Sequence, residues 1–229
     1  METVQVVFWL MPRQTPCQNE AAFPQMNSNP APYRKLLRDY IRAQANPPDK
    51  FSHQDRLYTL AVELAAGTAF DDDVLYASAW LHDLGVFVGH RPENREELAK
   101  WDHVAYVAAQ APALLMRFGF PESKISPVLD AIRTHMPKDD PKTYEATLLR
   151  DADVLEQLGA VAILRTVSKV GRDTRFTLFS DALRVLRDNL ENLPQMLRLD
   201  TSRKQALPRL TALQTFLEAA EQERNGLGW

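Results

Sequence analysis

Imidazoles and carboxylates at widely separated points are the groups in this chain best suited to chemistry: His53, the adjacent pair His82-Asp83, and the near-neighbours Asp151 and Asp153. Such donors suit a divalent cation, whether Mn, Mg, Co, Ni, Fe or Zn, in a centre with positions left for water and substrate. A cation there lowers the pKa of water toward neutrality and polarises an oxygen of the substrate, which points to metal-dependent hydrolysis. Cys17 is the single cysteine, so neither an intrachain disulfide nor a cysteine-based zinc cluster can form. Any metal must be held by histidine and carboxylate. The lone thiol also fits a reducing cytoplasm, the expected compartment.

These side chains are useful only if separate elements carry them to one point. From Tyr33 onward apolar residues recur at helical spacing, and no segment sustains the alternation of a sheet. The expected fold class is all-α. A first helix spans about 32 to 45. A second starts with Ser52 as N-cap and carries Leu57, Leu60, Ala61 and Leu64, which puts His53 in its first turn. Asp71, Asp72 and Asp73 open a third helix, whose apolar run ends at Leu84-Gly85 with His82 and Asp83 at its close. The next starts near Asp102 and continues toward Phe118, with Pro112 expected to kink or restart it. Pro121 suits the first position of a helix running to His135. Asp151 and Asp153 lie in a helix from about Pro141 to Gly159. They are about 200° apart around it, so both cannot face one metal. Each flanks the stripe of Leu148, Ala152, Leu155 and Gly159, and periodicity does not choose between them. Ala160 to Val170, a segment capped by Ser180, and a last segment with Leu207, Leu210, Leu213, Phe216 and Leu217 complete the helices.

Three local patterns carry a family resemblance: Phe51-Ser52-His53-Gln54-Asp55-Arg56, Ala79-Trp80-Leu81-His82-Asp83-Leu84-Gly85, and Asp151-Ala152-Asp153-Val154-Leu155-Glu156. Together they resemble the HD superfamily of metal-dependent phosphohydrolases. The resemblance implies a helical bundle in which His53, His82, Asp83 and Asp153 hold the metal, with His82 and Asp83 the catalytic pair. Asp153-Val154-Leu155-Glu156 is similar to the family's Asp-x-Leu-Asp/Glu, which favours Asp153 and leaves Asp151 as a supporting or solvent-facing residue. His103 and His135 fall where two-metal members carry two further histidines, so they bind a second metal or a substrate phosphate. Arg56, Arg133 and Lys138, near these residues in sequence, are the candidate cations for substrate, and Arg91 follows His90 in a loop.

Leu158 to Thr166 and the later Leu199-x-Thr201, Ala206-x-x-Arg209 and Phe216-Leu217 look like the small stand-alone bacterial hydrolases of this superfamily. That makes a nucleotide the leading phosphorylated substrate. Neither a glycine-rich phosphate loop nor a Gly-Tyr-Pro signature follows the His-Asp pair, which argues against a cyclic-dinucleotide enzyme. Two other readings use the same residues: a di-iron oxygenase of the same fold, and a non-catalytic ligand-binding domain.

A formal net charge of −3 and a pI near 6.0 give no global attraction to nucleic acid or to an anionic membrane. The expected organisation is an irregular, proline-punctuated arm over 1–31 and one domain over 32–229, with a metal-binding core at about 50–160 and C-terminal helices over 160–224. Residues 4 to 10 suit a short strand, and the apolar run Val4 to Met11 is too short, and too poor in flanking cations, for a signal peptide or an anchor. Met26, directly ahead of the domain, is an alternative start.

Overall fold

Helical periodicity from Pro32 onward becomes ten α-helices in the computed structural model, which describes residues 31–228. They are α1 (Pro32–Gln44), α2 (Phe51–Ala65), α3 (Asp72–Leu81), α4 (Arg95–Ala99), α5 (His103–Arg117), α6 (Ile125–Arg133), α7 (Tyr144–Glu156), α8 (Gly159–Val167), α9 (Phe179–Asn192) and α10 (Asp200–Arg224). Among the described residues there is no strand, and a lone bridge joins Val88 to Arg91. The fold is all-α, as the periodicity implies. The expected arm and strand fall on residues outside those described, apart from Ala31.

Local chemistry explains most boundaries. Asp71 caps α3 by accepting from the backbone N–H groups of Asp73 and Val74, Asp102 caps α5 through Ala105, and Thr143 caps α7 through Ala146. Ser52 does not cap α2. The chain enters that helix through a 3₁₀ turn at Pro48–Lys50, so Lys50 holds the cap position and Ser52 lies within the first turn. Ser180 likewise sits inside α9, whose start is tied by the Asp181 carboxylate accepting from the Thr177 and Leu178 N–H groups. A 3₁₀ turn at Glu122–Lys124 separates Pro121 from α6, and α5 runs unbroken through Pro112.

Two apolar cores result. One gathers Leu57, Leu64, Leu148, Leu155, Leu186 and Leu213 from α2, α7, α9 and α10. The other gathers Leu37, Ile41, Trp80, Leu81, Val107 and Ile132 from α1, α3, α5 and α6. Because α2 packs on both α7 and α3, and α3 on α6, the polar ends of these helices meet between the two cores. Among the described residues no helix is long and apolar enough to cross a membrane.

The start of α3 is locked to α1 by charge. Asp73 accepts from the Tyr33 hydroxyl, from Arg34 at 3.0 Å and from Lys124 at 2.7 Å. Burial alone would raise its carboxyl, but Lys124, Tyr33 and Arg34 together hold it down to about 2, against an ordinary 3.8. A depressed carboxyl stabilises the fold fully above its unfolded value and loses that contribution as pH falls through the folded one. The urea midpoint is therefore expected to fall as pH drops from about 4 toward 2. Asp73→Asn should be less stable at neutral pH and should flatten that part of the profile. An unchanged acid limb in the variant would refute the assignment.

Candidate metal centre

Four histidine rings line up where the helix ends meet. The centroids of His53 and His82 are 5.4 Å apart, those of His82 and His135 5.1 Å, and those of His135 and His103 5.7 Å, each pair edge to face. Two carboxylates face this row. His53 Nε2 lies 3.4 Å from Asp153 Oδ1 and 3.7 Å from Asp83 Oδ2, and His82 Nε2 lies 3.6 Å from the same Asp83 oxygen. His53, His82 and Asp153 offer donor atoms within 4.8 Å of one another, and so do His82, Asp83 and His135.

The tautomers are set by what each Nδ1 meets. His82 lies at the end of α3 and His135 just beyond α6, where the last carbonyls of a helix lack partners. His82 Nδ1 donates to the Ala79 carbonyl at 2.9 Å and His135 Nδ1 to the Ile132 carbonyl at 2.6 Å. A carbonyl can only accept, so these nitrogens carry the protons and the Nε2 atoms carry the lone pairs. His53 Nδ1 instead meets Glu156 Oε2 at 3.3 Å.

Whether the residues fit a metal is answered by the atoms left over. His53 Nε2 and His82 Nε2 are fully buried without a hydrogen-bond partner, and the Asp153 contact lacks hydrogen-bond alignment. Buried polar atoms are rarely left unpaired, and two imidazole nitrogens converging on two carboxylates make a donor set suited to a divalent cation. The residues fit. Burial pushes the His82 imidazolium down to about 4, so the ring is neutral near pH 7 and its lone pair is available. Burial would raise the carboxyls of Asp83 and Asp153, but the surrounding imidazoles hold both below the ordinary range, Asp83 chiefly through His82 and Asp153 chiefly through His53. Burial disfavours the His53 imidazolium, yet Asp153 and Glu156 together raise its pKa.

Asp151 points elsewhere. It is 0% exposed, and its oxygens accept from Arg150 at 3.0 Å, Arg198 N–H at 2.9 Å and Leu199 N–H at 2.8 Å. It is therefore not solvent-facing: it anchors the chain ahead of α10. His90 bonds Tyr106 and Gln44 on the side of the loop after Asp83, and accounts for its own polarity there.

The three cations near these residues in sequence occupy different settings. Arg56 has Nε 3.1 Å from Glu156 and Nη1 3.0 Å from Ser52, so its guanidinium is engaged with its own helix and α7. Arg133 is 53% exposed beside Asp130, and Lys138 is exposed. Spacing did not single out Lys50, Lys169, Arg165 or Glu156. Lys50 donates to the Val86 carbonyl at 2.8 Å, and burial pushes its ammonium down to about 8 despite the nearby Asp83. Burial likewise lowers Lys169, which also feels Asp83. Arg165 Nη1 lies 3.4 Å from Glu156. Glu156 had a signal in sequence, since it sits three residues after Asp153 on neighbouring helix positions, but only the fold reveals its burial.

Gly85 lets the His-Asp end of α3 approach α5. A Cβ there would stand 2.8 Å from the His103 carbonyl oxygen and 3.0 Å from its Cβ. Gly85→Ala must therefore displace His103, at a cost of about 1–3 kcal/mol for overpacking. A thermal melt that matches the wild type would show that the contact is looser than described.

An all-helical bundle with a buried His/Asp centre at its helix ends defines the class. Residues 51–158 match the HD domain. Solved structures agree on the fold. YpgQ of Bacillus subtilis superposes with a TM-score of 0.65 at 22% identity, over 86% of this chain and 97% of that one. Its complex with ADP gives 0.64 at 22%, over 85% and 96%. A predicted HD superfamily hydrolase from an uncultured Thermotogales bacterium gives 0.55 at 27%, over 83% and 90%. No curated protein sequence matches. The HD domain and the hydrolase among its structural relatives support a metal-dependent hydrolase in general terms.

Proposed function

We propose that the protein hydrolyses a phosphoester or phosphoanhydride of a nucleotide, with a divalent cation held by His53, His82, Asp83 and Asp153. The observation that carries this reading is the pair of buried, partnerless Nε2 atoms of His53 and His82 facing two ionised carboxylates. When bound, the cation supplies Lewis acidity that lowers the pKa of water and polarises a phosphoryl oxygen. Asp83, the member whose oxygen faces both His53 and His82, orients the attacking water. His82 stays neutral near pH 7, so its Nε2 lone pair is available to the cation. His135 and His103 continue the imidazole row away from His53 and hold a phosphoryl oxygen or a second cation. Lys50 and Lys169, whose charges bear on Asp83, offset the charge of the phosphates, with Arg133 and Lys138 exposed beside His135 to meet an extended phosphate chain. Arg56, already engaged with Glu156, reaches substrate only if that contact is exchanged. The ADP complex of YpgQ supports a nucleotide as the substrate class.

The test is metal-depleted protein resupplied separately with Mn, Mg, Co, Ni, Fe or Zn and assayed on nucleotides and simple phosphomonoesters. Phosphate or pyrophosphate should appear only with metal, and faster from nucleotides. No release under any condition would end the hydrolase reading. The second set of donor atoms at His82, Asp83 and His135 keeps a two-metal oxygenase as the competing reading. Two bound irons with oxygen-dependent turnover would establish it instead.

A further inference from the structure

His53 differs from the other centre histidines in where it sits on its helix. His82 and His135 follow helix C-terminal ends and find acceptors in carbonyls three residues earlier, Ala79 and Ile132. His53 lies in the first turn of α2, and a helix N-terminus offers unpaired N–H groups but no unpaired carbonyl. Its Nδ1–H therefore needs an acceptor from another element. Glu156, at the last turn of α7, meets it at 3.3 Å.

Resting on the reading of His53 as a metal ligand, we propose that Glu156 is a positioning residue that fixes the His53 tautomer so that Nε2 faces the metal position. The carboxylate is 3% exposed, and a charge so buried persists only when paired. Arg56 Nε at 3.1 Å and Arg165 Nη1 at 3.4 Å supply that pairing from α2 and α8. Arg56 is one turn beyond His53 on the same helix, so a single carboxylate ties imidazole and guanidinium to α7. The Asp-x-Leu-Glu stretch then serves the centre twice: Asp153 faces His53 Nε2, and Glu156 faces Nδ1 of the same ring. A carboxylate behind a ligating histidine fixes its orientation and raises its basicity.

Calorimetric titration of metal-depleted full-length protein with Mn²⁺ tests this. Glu156→Ala should bind the metal about 10–100-fold more weakly than wild type, the usual cost of losing such a support. Glu156→Gln, whose amide oxygen still accepts from Nδ1–H, should lose less. Wild-type affinity in Glu156→Ala, or equal losses in both variants, would overturn the proposal. Should the alanine variant fail to fold, nitrogen NMR of Zn²⁺-loaded wild-type protein decides. His53 should show a protonated Nδ1 and a metal-bound Nε2, and the reverse pattern overturns the assignment. Neither readout involves turnover, so metal binding that depends on Glu156 without phosphate release would defeat the hydrolase reading alone. Wild-type protein that binds neither metal defeats both.

Discussion

His82→Ala is expected to abolish high-affinity divalent-metal binding and, with it, phosphate release. The side chain is 0% exposed, and its Nδ1 is committed to the Ala79 carbonyl, which leaves Nε2 as the only donor aimed at the centre. Alanine removes that donor from between His53, Asp83 and His135. The loss should exceed the roughly 10–100-fold that follows from removing a merely supporting group. Far-ultraviolet circular dichroism should show the helices retained, because the ring's only hydrogen bond is to its own helix. A variant that keeps wild-type turnover on nucleotides with full metal content would remove His82 from the centre.

Asp151→Ala should unfold the protein far more readily while Asp153→Asn should not, although the two residues are neighbours in one helix. Asp151 neutralises Arg150, which is itself buried and donates to the Met196 and Pro137 carbonyls. Removing the carboxylate leaves a buried guanidinium uncompensated and strips the Arg198 and Leu199 N–H groups of their acceptor. Breaking one side of a buried ion pair costs about 3–5 kcal/mol, a large fraction of the stability of an ordinary domain. Chemical denaturation of both variants measures the contrast. Asp153→Asn replaces a group whose neighbours are His53 and Gln157, so its main effect should fall on metal affinity rather than on the denaturation midpoint. Equal midpoints for the two variants would contradict the division of labour.

That contrast also marks where the sequence stopped being readable. His53 and His82-Asp83 stood out because their flanking residues make recognisable patterns, and the helical class followed from apolar spacing alone. Asp151 and Asp153 could not be separated by periodicity, since both border the apolar stripe of α7. Their difference comes from a partner segment nearly fifty residues later, at Arg198 and Leu199, that no local pattern announces. Ser52 was read as a cap because serine before an apolar periodic run usually is one, but the 3₁₀ turn at Pro48–Lys50 starts the helix earlier. Adjacency to His53 suggested Arg56 as a cation for substrate, and only the fold adds that its guanidinium bonds Glu156 on α7. Lys50 and Lys169 are both far from Asp83 in sequence, so only the assembled fold relates them to it.

The claim beneath all of this is that one cation sits among His53, His82, Asp83 and Asp153. Anomalous diffraction from crystals of the full chain loaded with Mn²⁺ locates the metal directly. The account predicts a peak within bonding distance of His53 Nε2, His82 Nε2 and one oxygen each of Asp83 and Asp153. A peak coordinated by other residues, or none at saturating metal, would contradict it.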